Sequence, residues 1–147
     1  MKLVLATDHA GFELKESIKE FLSSEGHDVK DFGANEYERL DDYPDFIAPA
    51  AKFVSENQDY KGIIFGGSGQ GEAISANRFK NVRAAVYYNG PTEIVELSRV
   101  HNNANILSLG ARFLSLDEAK NVINLWLNTD FEGGRHLNRI KKIDDLS

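Results

Sequence analysis

The chain has 147 residues, 41% of them apolar and 10% aromatic, and its 23 Asp and Glu outnumber 17 Lys and Arg for a net charge of −6. That length suits one domain with its own core, and that apolar content excludes a disordered chain. The acidic balance disfavours general nucleic-acid binding, no apolar run reaches the ~18 residues of a membrane span, and zero Cys removes disulfides, thiolate metal sites and cysteine nucleophiles.

In chain order, residues 2–7 form a short apolar run that stops at Asp8-His9-Ala10-Gly11, the pattern of a buried strand meeting a polar turn. The polar residues from Thr7 to His9 also break the apolar region that a signal peptide needs, so a cytoplasmic protein is expected. Leu14, Ile18, Phe21 and Leu22 recur at helical spacing opposite Glu13, Lys15, Glu16, Lys19 and Glu20, and Gly26 ends that helix. A second strand is expected over residues 27–32, a polar connection over 33–42, and a helix from Pro44 with Ile47, Ala50, Ala51 and Val54 inward. Residues 62–66 read as a third strand running into Gly67-Ser68-Gly69-Gln70-Gly71, with a helix from Glu72 to Arg78. Residues 82–88 and 104–109 supply two more strands, and residues 91–100 and 116–127 two more helices.

This alternation predicts one α/β domain over residues 1–147, a Rossmann-like three-layer α/β/α sandwich with a five-stranded parallel sheet. Residues 133–147 form a basic helical tail at its end. Ligands of such sheets bind beyond the carboxyl ends of the strands, so Asp8, His9, Tyr43 and the Gly-rich loop are expected to converge there.

Gly66, Gly67, Gly69 and Gly71 leave backbone N–H groups free to approach a ligand at a helix N-terminus, as an anion cradle or as a plain tight turn. The loop is no Walker A motif, and Glu72 stands where the dinucleotide fingerprint needs its third glycine. A carboxylate beside the cradle would repel a bound phosphate. It suits an oxyanion that forms only during reaction, with Glu72 as the base that creates it. The competing reading is an acidic residue favoured by the helix dipole. The dipole would lower the pKa of Glu72 and desolvation would raise it, and the sequence leaves that contest open.

Arg135 and Arg139 are four apart and share a helix face, and residues 133–142 hold four Lys and Arg without an acid. Two forked guanidiniums suit a phosphate monoester, and Arg112 joins them after the fifth strand. A solvated basic tail, or one facing an acidic partner, explains the same run, while RNA binding lacks interleaved aromatics. Of the four His, His27 reads as structural and His136 as part of the basic face, whereas His9 and His101 lie at element boundaries among polar residues. There a near-neutral imidazole can move protons to and from a sugar hydroxyl, or merely cap a helix. No spacing matches a zinc motif such as H-E-x-x-H, so no metal is expected, and Ser68 lacks the Gly-x-Ser-x-Gly elbow of a hydrolase.

Several blocks in order give a stronger signal: Asp8-His9-Ala10-Gly11-Phe12-Glu13-Leu14-Lys15, Asp42-Tyr43-Pro44-Asp45, Gly67-Ser68-Gly69-Gln70-Gly71, Ala76-Asn77, His101-Asn102-Asn103-Ala104-Asn105, Leu109-Gly110-Ala111-Arg112 and Phe131-Glu132-Gly133-Gly134-Arg135-His136. Together they resemble the B-type ribose-5-phosphate isomerases, a family that includes galactose-6-phosphate isomerase subunits. The resemblance implies a cofactor-free aldose–ketose isomerase working through a cis-enediolate. By position it implies that Asp8, His9 and Tyr43 line the substrate pocket and that Gly67, Ser68, Gly69, Gln70 and Gly71 hold the enediolate oxygens. It further implies that His101 opens the sugar ring, that Asn102 holds a hydroxyl, and that Arg112, Arg135 and Arg139 clamp the phosphate. Sites built between the subunits of a homodimer or a dimer of dimers are implied too. Many members carry a cysteine base at the position of Gly66, and this chain resembles the branch with a glutamate at Glu72 instead. An isomerase of another sugar phosphate (galactose 6-phosphate, allose 6-phosphate or a tetrose 4-phosphate) and a non-catalytic sugar-phosphate binder are the rival readings.

Overall fold

The computed structural model describes residues 1–146. Five strands, β1 (Lys2–Thr7), β2 (Asp28–Asp31), β3 (Tyr60–Gly66), β4 (Ala84–Tyr87) and β5 (Ile106–Gly110), are interleaved with six helices. These are α1 (Phe12–Ser24), α2 (Pro44–Glu56), α3 (Gln70–Ala76), α4 (Glu93–Val100), α5 (Leu116–Leu127) and α6 (Arg135–Asp144). Every strand pair is parallel, in the order β2-β1-β3-β5-β4.

Alternation along β1 explains the three layers. Leu3 and Leu5 join a core with Ile18 and Leu22 of α1 and Val122 and Trp126 of α5. Val4 and Ala6 point the other way, into a core with Ile47, Ala50 and Val54 of α2. A strand apolar on both faces has to be covered on both, which is the α/β/α sandwich expected from the alternation of elements. The chain builds outward from β1 to β2 and then returns to place β3 on the other side of β1. The carboxyl ends of these neighbours, paired as Thr7 with Phe65, therefore flank the crevice where such sheets bind ligands.

Element ends differ from expectation where side chains replace the ladder. The fifth strand starts at Ile106, because Asn103 takes a positive φ of 46° and the Ala104 N–H donates to Ser98 O. The fourth starts at Ala84, because the Arg83 N–H donates to the side chain of Asn105 at 2.8 Å. The second starts at Asp28, because the His27 N–H still donates to Leu22 O at the end of α1. The tail is more than a solvated basic run: α6 turns His136 and Ile140 inward, and Asp144 pairs with Arg83 at 3.0 Å. Ser147, the last residue of the expected tail, lies outside the described residues. Among the described residues no helix is long and apolar enough to cross a membrane.

Candidate active site

Three strand ends and the loops after them build one side of the site. After β1, Asp8 caps a short 3-10 turn (His9–Gly11) by accepting the Ala10 N–H at 3.0 Å. After β3, the Gly-rich loop is stapled to the segment that follows β5: the Ala111 N–H donates to Gly66 O and the Arg112 N–H to Gly67 O. Gly69 takes a φ of +81° and forms the N-terminal boundary of α3, while its carbonyl accepts the Ser108 hydroxyl at 2.6 Å. That left-handed turn lets the chain start α3 directly behind the strand.

Glu72 then lies in the first turn of α3, buried with only 4% exposed. A Cβ built on Gly66 would land on its carboxyl carbon and both its oxygens, so the carboxylate fills the space above residue 66. Burial pushes the Glu72 carboxyl above the usual carboxylate range, and negative Asp8 adds to the rise, against hydrogen bonds from backbone amides of the same loop. Desolvation wins the contest with the helix terminus. Asp8 is also raised, chiefly by burial.

The other expected residues of this edge close around the same point. The Arg112 guanidinium lies over Gly67, its central carbon 3.1 Å from where a Cβ would stand, and the Tyr43 ring packs against Gly71. The Ser68 hydroxyl accepts the Gln70 N–H at 3.3 Å, so its oxygen faces the start of α3 while its own proton stays available. His9 Nδ1 lies 2.7 Å from Asp41 Oδ1. That bond pushes the His9 pKa above its ordinary value.

His101, Asn102, Arg135 and Arg139 are elsewhere. The α4 helix runs back along the sheet for about 12 Å at 1.5 Å per residue, so His101, its C-cap, sits at the amino edge of the strands. Its ring stacks on His136 of α6, with centroids 4.4 Å apart and planes 20° from parallel. His136 is therefore buried, not part of the basic face expected from its neighbours; Arg135 and Arg139 are exposed on the other side of that helix. Burial and the neighbouring His101, Arg135 and Arg139 push the His136 pKa down.

Two grooves connect these edges along the open side of β4. One, of about 360 Å³, is lined by Asn77, Arg83, Ala84, Ser98, Asn102 and Ile143. The other, of about 580 Å³, runs along Gln70, Ala73, Ile74, Asn77, Ala84 and Val86. They share Asn77 and Ala84, so one continuous strip leads from Asn102 to the Gly-rich loop.

Among the described residues, two groups bring potential metal ligands within 4.8 Å of one another: His101, Glu132 and His136, and Asp8, His9 and Asp41. In the first the nearly parallel rings direct their nitrogen lone pairs side by side and not toward a common centre. In the second the His9 Nδ1 is already engaged by Asp41. Asp41 belongs to the segment that reads on sequence as a polar connection, and the only signal there is an acidic pair before Tyr43.

The chain matches the model of the Ribose/Galactose Isomerase family over residues 3–143. It is 39% identical to the ribose-5-phosphate isomerase B of Mycolicibacterium paratuberculosis over 141 residues, 95% of this chain and 87% of that protein. The structure of ribose-5-phosphate isomerase B from Mycoplasma genitalium with bound ribulose-5-phosphate superposes with a TM-score of 0.93 at 39% identity, covering 98% of this chain and 94% of that one. A Clostridium thermocellum ribose-5-phosphate isomerase B also gives 0.93, at 41% identity over 99% and 97% of the two chains. With its parallel sheet, its glycine-lined turn after β3 and this similarity along nearly its whole length, the chain belongs to the ribose/galactose isomerase family.

Proposed function

We propose that this chain interconverts D-ribose 5-phosphate and D-ribulose 5-phosphate, with Glu72 as the carbon base. The observation that carries the reading is the buried Glu72 carboxylate standing over Gly66 beside the amides of the Gly-rich loop. A carboxylate with a raised pKa binds a proton more readily than an exposed one and so suits a base that must later return it. In the open-chain aldose, Glu72 takes the proton on C2 and the C2–H electron pair forms the C1–C2 double bond. The carbonyl oxygen O1 takes up negative charge, which amides of Gly67 to Gly71 stabilise, with the Ser68 hydroxyl assisting. The O2 proton passes to O1 within the cis-enediolate, Glu72 returns its proton to C1, and C2 becomes the ketone.

Ring opening comes first. His101 donates a proton to the ring oxygen as the C1–O bond breaks, and Asp8 accepts the proton of the C1 hydroxyl. Asn102 holds a sugar hydroxyl and Tyr43 lines the pocket, while Arg112, Arg135, Arg139 and His9 meet the phosphate. No cofactor or metal enters these steps. The separation of His101 from Glu72 within one chain supports a homodimer, alone or within a dimer of dimers. In it, His101, Asn102 and the α6 arginines of one copy complete the Glu72 half-site of the other across the β4 groove. Exposed Ile74, Ile94, Leu97 and Ile143 give that contact apolar surface. Its charged substrate suits a cytoplasmic enzyme.

The test is isomerase turnover across pentose, tetrose and hexose phosphates, ranked by kcat/KM, with exchange of the C2 hydrogen followed in deuterated water. Ribose 5-phosphate leading the panel with exchange supports the reading, and binding without exchange overturns it. Mixing and re-annealing Glu72→Gln with His101→Ala should recover about a quarter of the parent activity if each site takes one residue from each of two copies. No recovery would place both residues in one subunit's site.

A further inference from the structure

Asp41 has an arrangement that the steps above do not use. Its Oδ1 accepts the His9 backbone N–H at 2.9 Å and lies 2.7 Å from the His9 ring Nδ1. The side chain is only 8% exposed, and its second oxygen, Oδ2, is buried without a hydrogen-bond partner. Among the described residues its one ion-pair partner is His9. A buried carboxylate needs a counter-charge, and here a protonated imidazole is the one at hand. Binding through Nδ1 also sets the ring's direction and leaves Nε2–H as the free donor.

The surroundings of His9 favour the same state. From the end of β1 Asp8 adds negative potential, from the loop after β2 come Asp41 and the edge-on Tyr37 ring at 6.2 Å, and Arg112 after β5 opposes with positive charge. The hydrogen bond to Asp41 is the largest of these influences and raises the imidazole. Arg112 also lies over Gly67. His9 and Arg112 thus supply two donors from different loops at one strand edge.

We propose that Asp41 is the positioning residue for His9, holding its ring as a cation with Nε2–H presented to the anionic end of a sugar phosphate. The proposal rests on the sugar-phosphate reading for the ligand's identity, but the state of His9 can be measured without turnover. It makes the loop between β2 and α2, on sequence a mere connection, part of the binding apparatus.

Asp41→Asn is the decisive variant, because its amide oxygen can still accept the His9 backbone N–H while the charge is gone. Nitrogen NMR of histidine-labelled protein, with His9 assigned through His9→Gln, reports titration and tautomer directly. In Asp41→Asn the His9 titration should move to lower pH and the Nδ1–H tautomer should lose its dominance. At a pH above the His9 titration of the variant, KM for ribose 5-phosphate should rise roughly tenfold with kcat held, and the two proteins should converge as pH falls below that titration, where His9 is charged in both. An unchanged His9 titration overturns the proposal, as does a pH-independent fall in kcat without a change in KM. If the parent turns over no sugar phosphate, the reading above fails, while the NMR comparison still decides the role of Asp41.

Discussion

The two edges of the sheet are built differently. At the carboxyl edge, Asp8 and Glu72 are buried, and the Ala111 and Arg112 N–H groups hold the start of the Gly-rich loop. At the amino edge, Arg135, Arg139 and Asn102 are exposed, and Asn102 lines an open groove. The carboxyl edge suits the proposed proton transfer on carbon, which needs a fixed base and fixed amides. The amino edge offers long, exposed cationic side chains. Within one chain the expected site residues are therefore divided between regions about 12 Å apart along α4.

This division is easiest to break at Glu72. Glu72→Gln keeps the shape and removes the base, and kcat should fall by ~10²–10⁴ with KM little changed. A loss within about tenfold, ~1.4 kcal/mol of barrier, would move the base elsewhere. Gly66→Ala leaves Glu72 in the sequence but drives its carboxylate from its place, and kcat should fall by about 10²-fold because a misplaced base loses its alignment. Full activity in that variant would mean that the buried position is dispensable. At the other edge, Arg135→Ala should raise KM by about tenfold with kcat nearly intact. An unchanged KM would remove Arg135 from the phosphate clamp.

The smallest effect concerns stability. Because burial raises the Glu72 carboxyl in the folded chain, folding favours its protonated form, and that contribution fades as pH climbs through the folded value. Glu72→Gln cannot ionise, so at pH 7 it should melt a few degrees above the parent, ~0.5–2 kcal/mol more stable. The gap should close below about pH 4, where the carboxyl is protonated folded or unfolded. A melting temperature that does not rise at pH 7 would mean that hydrogen bonds from the loop amides offset the burial.

Much of this architecture is legible in the amino-acid sequence. Both-face apolar strands such as Leu3 to Ala6 and the turn at Gly67 to Gly71 are local patterns, and they specify the sandwich and the site's location. Glu72 stands out because a carboxylate is awkward beside an anion cradle. Its protonation preference is not legible, since the dipole is local but burial depends on how α3 packs behind β3. Asp41 is silent for a similar reason: its bonds to His9 span 32 positions, and nothing near it in the chain announces them. His136 misleads because Arg135 and Arg139 mark its helix as basic, although its spacing to Ile140 belongs to an inner face.

The crowding above Gly66 carries a chemical consequence. With a carboxylate in that space there is no room for sulfur, and the chain holds no cysteine anywhere else. With Glu72 as the proposed base, peroxide and thiol-directed electrophiles should find nothing to attack at the proton-transfer centre, and isomerase turnover should survive oxidative conditions that silence thiolate-dependent catalysts.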